Sequence, residues 1–124
     1  MKLEQKTCSL ELSKKLKEMG VPQDSYFYWK TAKDYCKLVN DNHDSGYPIG
    51  IGKRAKGAEH YSAFTVAELG EMLPQFAAGK FNRGNSFFWK IEIPNFSITI
   101  ESETEADARA KMLIYLLENK LITI

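Results

Sequence analysis

The chain is short of several things, and each shortage excludes a class of protein. Its two cysteines, Cys8 and Cys36, form no CxxC pair and stand in no His/Cys cluster. No disulfide framework or zinc module of familiar spacing can be drawn from them. Both are expected to be reduced, partly buried thiols. Net charge is only +1, which leaves out the strong positive field that draws a protein to nucleic acid over distance. No apolar run approaches the roughly 20 residues of a membrane-spanning helix. Residues 1–6 lack the apolar centre of a secretory leader. The expected setting is the cytoplasm, away from membranes. Phosphate loops are missing as well. Gly52-Lys53 has neither the upstream glycine nor the following Ser/Thr of a P-loop, and a GxGxxG reading would need glycine at Ala55.

What is present suits one globular domain spanning 1–124. Hydrophobic residues make up 44% and charged residues 27%, near globular averages and sufficient for a core at this length. Residues 1–6 are polar and expected to fray. From Cys8 to Met19, Cys8, Leu12, Leu16 and Met19 fall on one helical face, and Gly20 with Pro22 marks the stop. The aromatic run over 25–30 reads as a strand, 31–34 as a turn, and 35–39 as a return strand. Thr65 and Glu68 make a capping box for a short helix ended by Pro74. Residues 75–85 read as connector with a turn at 82–85.

The clearest strand pair follows. Phe87, Trp89, Ile91 and Ile93 alternate with Ser86, Phe88, Lys90 and Glu92, and Phe96, Ile98 and Ile100 with Ser97, Thr99 and Glu101. Pairing Ile93 with Phe96, Ile91 with Ile98 and Trp89 with Ile100 puts every apolar residue on one face. Proline cannot take the positive φ of a two-residue primed turn, so Pro94-Asn95 calls for a longer loop built on a type I turn, with the same parity. The last helix, 104–120, has Thr104 as N-cap and acids at its start. Ala106, Ala110, Leu113, Leu116 and Leu117 form a wide apolar stripe that should lie on the preceding hairpin, and Asn119 is placed to end the helix in a left-handed conformation. The predicted fold is α+β: helix-hairpin-helix-hairpin-helix, an antiparallel sheet with the helices packed on one face.

Residues 40–63 break this regularity as one long irregular loop, a feature that is usually functional or disordered. It holds His43, His60 and the basic run Lys53-Arg54-Ala55-Lys56. His43 and His60 with Asp34, Asp41 and Asp44 lack any metal-ligand spacing, so solvated loop residues are expected. Cys36 as a nucleophile would need an electropositive site and an orienting group, and in a strand a buried thiol is the ordinary outcome. No catalytic set, metal site or cofactor is expected. Two contact surfaces are. Lys53, Arg54, Lys56, His60 and Tyr61 combine cations with aromatic rings, a pairing that holds phosphates and stacks on bases. Tyr26, Tyr28 and Phe88 would make an exposed aromatic patch if they share an outward face, suited to a protein partner or a second copy.

The blocks Cys8-Ser9-Leu10-Glu11-Leu12, Tyr26-Phe27-Tyr28-Trp29, the run from Tyr61 to Leu69 and that from Glu105 to Leu113 together resemble a group of small uncharacterised proteins of tailed phages and prophages. In that group a strand leads into a capped PT-[LV]-x-E-L helix, then a hairpin and a final ADA-x-AKML-like helix. Phe64 stands here where the group often has proline. The resemblance implies a phage or prophage origin and a bacterial host cytoplasm, and carries no activity. The functional expectation is a non-enzymatic accessory protein acting through protein contacts or self-association. The alternative is a nucleic-acid-binding factor using 53–56.

Overall fold

The computed structural model describes residues 6–32, 35–40 and 59–123. In chain order the elements are α1 (Leu10–Glu18), β1 (Phe27–Ala32), β2 (Tyr35–Asn40), β3 (Glu59–Ser62), α2 (Val66–Met72), β4 (Ala77–Arg83), β5 (Ser86–Ile93), a 3-10 turn (Pro94–Phe96), β6 (Ile98–Ser102) and α3 (Glu105–Glu118). Among the described residues these make three helices and two antiparallel three-stranded sheets, ordered β2-β1-β3 and β4-β5-β6. The class is α+β. The single sheet of two hairpins is not what forms, because two strands escape the sequence pattern.

One missed strand is β3, inside the stretch read as a loop over 40–63. It pairs with β1, His60 opposite Lys30 and Tyr61 opposite Trp29. Four residues with no apolar alternation give no period to detect. The rest of that loop, 41–58, lies outside the described residues, as do residues 1–5. The other missed strand is β4, inside the stretch read as connector over 75–85. Its residues, AAGKFNR, are exposed at every position but Phe81, so no burial pattern marks them. Pairing with β5 makes it a strand, closed by the two-residue turn Gly84-Asn85 between Arg83 and Ser86. Gly84 has φ +64° while Asn85 does not turn positive, the φ signs of a type II′ hairpin turn with glycine first.

The β5–β6 pair forms two residues out of the expected register. Ile93 faces Ile98, Ile91 faces Ile100 and Trp89 faces Ser102. The parity holds, so the isoleucines still share a face. Pro94–Phe96 winds into the 3-10 turn, and Ser97 at φ 54° completes a four-residue loop, its N–H donating to Pro94 O at 3.2 Å. Phe96 therefore leaves the strand and stands exposed.

Helix α3 is the hub. Ala106, Ala108, Ala110, Met112, Leu113 and Leu116 are fully buried, while Lys111, Tyr115 and Glu118 face water. It packs on β5 and β6 and against α1 and α2. One apolar cluster joins it to Ile91 and Ile93, Leu16 of α1, Leu69 of α2, and Cys8 and Phe64. Cutting Leu113 or Leu116 to alanine here costs about 2–5 kcal/mol. The helix ends in a Schellman motif: Leu121 N–H donates to Leu116 O at 2.9 Å and Lys120 N–H to Leu117 O at 3.1 Å. The left-handed residue is Lys120 at φ 57°, not Asn119, whose φ is -93°. Helix α1 stops the same way with Gly20 at φ 88°.

Candidate binding surface

The apolar alternation of β5 outruns the helix that covers it. Positions 87, 89, 91 and 93 all point to the α3 side of the sheet. Ile91 and Ile93 are fully buried there, Trp89 is half-buried, and Phe87 is 57% exposed. The pairing shows why. β6 reaches only as far as Trp89, whereas β4 continues alongside β5 to the Arg83–Ser86 pair. The β4–β5 hairpin thus projects as a two-stranded ribbon past the body of the sheet, and among the described residues none of α1, α2 or α3 covers Phe87 on its inner face. A recess of 310 Å³ opens under the overhang. Phe87, Trp89 and Val66 wall it, and Lys6, Lys80 and Glu103 stand at its rim.

Two lysines, Lys6 and Lys80, and two carboxylates, Glu103 and Glu105, line this recess. Lys80 lies opposite Trp89 on the inner face of β4, its ammonium 4.7 Å from the centre of the Phe87 ring. On the outer face, Phe81 and Phe88 stack at 5.9 Å with 27° between their planes. Arg83 lies 5.4 Å from both rings and donates to Glu101 at 3.0 Å. That outer pair is already capped by its own cation. On the inner face Lys80 lies over Phe87 without an ion-pair partner among the described residues.

Below the recess, Arg109 holds α2 to α3. Its guanidinium donates to Val66 O at 2.9 Å, pairs with Glu105, and lies 4.7 Å over Phe76. Gly70 is the residue of α2 that lets it pass, since a side chain there would meet the guanidinium. Nearby, Asp107 accepts from the Ser9 N–H at 2.7 Å, which ties the start of α1 to the first turn of α3. Burial raises the Asp107 carboxyl above its usual range, with the Ser9 hydrogen bonds and Lys111 pulling the other way. A shallower recess of 440 Å³ lies along this side, lined by Glu101, Glu103, Asp107 and Lys111 among others. Cys8 is fully buried, its sulfur 3.1 Å from Ser13 Oγ, and burial pushes the thiol up to about 11. It is packing rather than a nucleophile. Among the described residues no group of three or more His, Cys, Asp or Glu is placed to hold a metal.

Of the two contact surfaces expected from sequence, the aromatic one does not assemble, and most of the basic one lies outside the described residues. Tyr28 is buried, its hydroxyl donating to Gln23 O at 3.3 Å and its ring edge against His60. Tyr26 is exposed beside α2, its N–H donating to Glu68, and Phe88 belongs to the other sheet. Tyr26 precedes the first residue of β1, so the strand period does not carry it to the covered side with Tyr28, and the three rings share no patch. Of the basic set, Lys53, Arg54 and Lys56 lie outside the described residues, as does His43. His60 and Tyr61 are consecutive in β3 and so point to opposite faces. Lys14 and Lys17 of α1 lie over the Tyr61 ring at 5.7 and 5.0 Å. Cys36 stands in β2 opposite Thr31, its side chain outside the description. Two features were missed entirely. Lys30, at the end of the aromatic run, is fully buried, and the projecting ribbon depends on a strand that carries no pattern.

No protein-family model, no curated protein and no solved structure matches this chain. No helix among the described residues is long and apolar enough to cross a membrane.

Proposed function

We propose that this protein is a non-enzymatic interaction module that binds another protein through the overhanging face of the β4–β5 ribbon. The observation that carries the reading is Phe87. It occupies an inward position of an apolar strand yet is more than half exposed, next to Trp89 and over an open recess. Large rings that flank a concave, partly apolar surface are the usual anchors of protein contacts. A two-stranded ribbon that no described helix covers is also marginal alone and gains order from a partner. The phage or prophage origin implied by the sequence resemblance belongs to the same proposal, as an accessory role in a bacterial host.

The test is a photo-crosslinking residue placed at position 87, with position 115 on the far side of α3 as control. A single protein captured from the native host at 87 and not at 115, and displaced by unlabelled protein, supports the reading. Equal labelling at both positions, or none at 87, refutes it.

A further inference from the structure

The ribbon also presents a backbone edge. Among the described residues β4 pairs with β5 alone, so the alternate N–H and C=O groups that point away from β5 are available to another strand. Such an edge is the arrangement used in β-strand addition. Main-chain hydrogen bonds fix the incoming segment, and every second side chain falls on the inner face beside Ala78, Lys80 and Asn82.

The charges on β4 choose among occupants. The strand carries Lys80 and Arg83 and no acid. Arg83 is committed to Glu101, whereas Lys80 rests on the Phe87 ring and makes no ion pair among the described residues. A second copy is a poor fit. Antiparallel pairing of two β4 strands brings cation-bearing edges together with no carboxylate between them, and an inward-pointing lysine on an edge strand is a known guard against self-pairing. A segment with a carboxylate beside an apolar residue fits better. Its acid meets Lys80, and the apolar residue two positions along, on the same face, lies beside Ala78, the inner-face neighbour of Lys80 on β4.

We infer that β4 is a docking edge for an extended, acid-bearing segment of a partner protein, which adds to the sheet as a fourth strand and sets a carboxylate against Lys80. This rests on the reading of the ribbon as a protein-contact surface and specifies the partner's chemistry.

The experiment uses the full chain and a displayed library of random peptides about as long as β4. Enriched peptides should share an Asp or Glu with an apolar residue two positions away. Binding of the best one should protect alternate amides of β4 from hydrogen exchange. Lys80→Glu should weaken it by about tenfold or more, and a peptide with Lys in place of its acid should recover binding to that variant. Lys80→Glu is an exposed change, and an unaltered circular dichroism melt verifies that it folds. Enrichment without acidic bias, no enrichment, or failure of the charge swap overturns the inference. A footprint covering Phe87 and Trp89 that leaves the β4 amides unprotected also overturns strand addition, while the contact surface itself stands. A mass that doubles with concentration in light scattering, and is lost in Lys80→Glu, assigns the edge to a second copy and overturns it too.

Discussion

Replacing Gly70 by alanine should change sign with the residue at 109. In an ordinary helix interior, Gly to Ala stabilises by about 1 kcal/mol. Here an alanine Cβ would stand within van der Waals contact of Arg109 Nη1, with Arg109 Cζ and Phe76 Cζ each at 3.6 Å. That guanidinium is no free end. It is held by Val66 O and Glu105, with side-chain exposures of 14% for Arg109 and 19% for Glu105. Each charge-assisted hydrogen bond is worth about 1.5–3 kcal/mol and the contact with Phe76 about 0.5–2 kcal/mol. Displacing the group forfeits part of that sum, so Gly70→Ala should destabilise by about 1–2 kcal/mol net. Arg109→Met keeps the stem, drops the charge, and should cost about 2–4 kcal/mol by leaving Glu105 shielded and unpaired. In the Arg109→Met background the obstacle is gone, and Gly70→Ala should stabilise by about 0.5–1 kcal/mol. Urea unfolding of the four variants, followed by circular dichroism, measures the cycle. The same sign of effect in both backgrounds would refute the claim that Gly70 is kept for the passage of Arg109.

Three further outcomes follow from named groups. The folded state holds the Cys8 proton more tightly than the unfolded chain, so the advantage of wild type over Cys8→Ala should be constant below about pH 9. It should shrink by about 3 kcal/mol as pH climbs to about 11, measured in a Cys36→Ser background, and a difference flat with pH contradicts the burial. Asp107 has a raised folded pKa, so relative to Asp107→Asn the wild type should lose stability as pH rises from the usual carboxylate range through that raised value, then level off. A wild type that gains on the variant over that window shows that the carboxylate is favoured, not penalised. Lys120→Gly removes the cost of a left-handed residue at φ 57° and should stabilise by about 0.5–1 kcal/mol in thermal melts, whereas a lowered melting temperature would mean the Lys120 side chain contributes more than its backbone costs.

The sequence alone determined the parts whose signals are local. The capping box of Thr65 and Glu68 is present in both directions, at 2.9 and 3.3 Å. Thr104 caps α3, and Gly20 stops α1. The isoleucines of β5 and β6 share the face that α3 covers. These follow from period, cap chemistry and backbone freedom, which operate within a few residues of chain. The Pro94 argument, which excluded a two-residue turn and called for a longer loop of the same parity, is met by the four-residue loop that forms.

Only tertiary structure decided which strands exist where the chain carries no period. β3 and β4 are strands because β1 and β5 offer hydrogen-bonding edges, and that information sits on the other chain segment. The same reason explains the misplaced surfaces. Alternation states that Tyr26 and Tyr28 share a face and that Phe87 matches Ile91. It does not state how far a covering element extends. Helix α3 stops short of Phe87, the fold closes over Tyr28, and β6 ends at Trp89's partner, Ser102. Burial belongs to the cover as much as to the residue covered. The ribbon, with an edge that no described strand pairs, exists because three elements of different length end at different places.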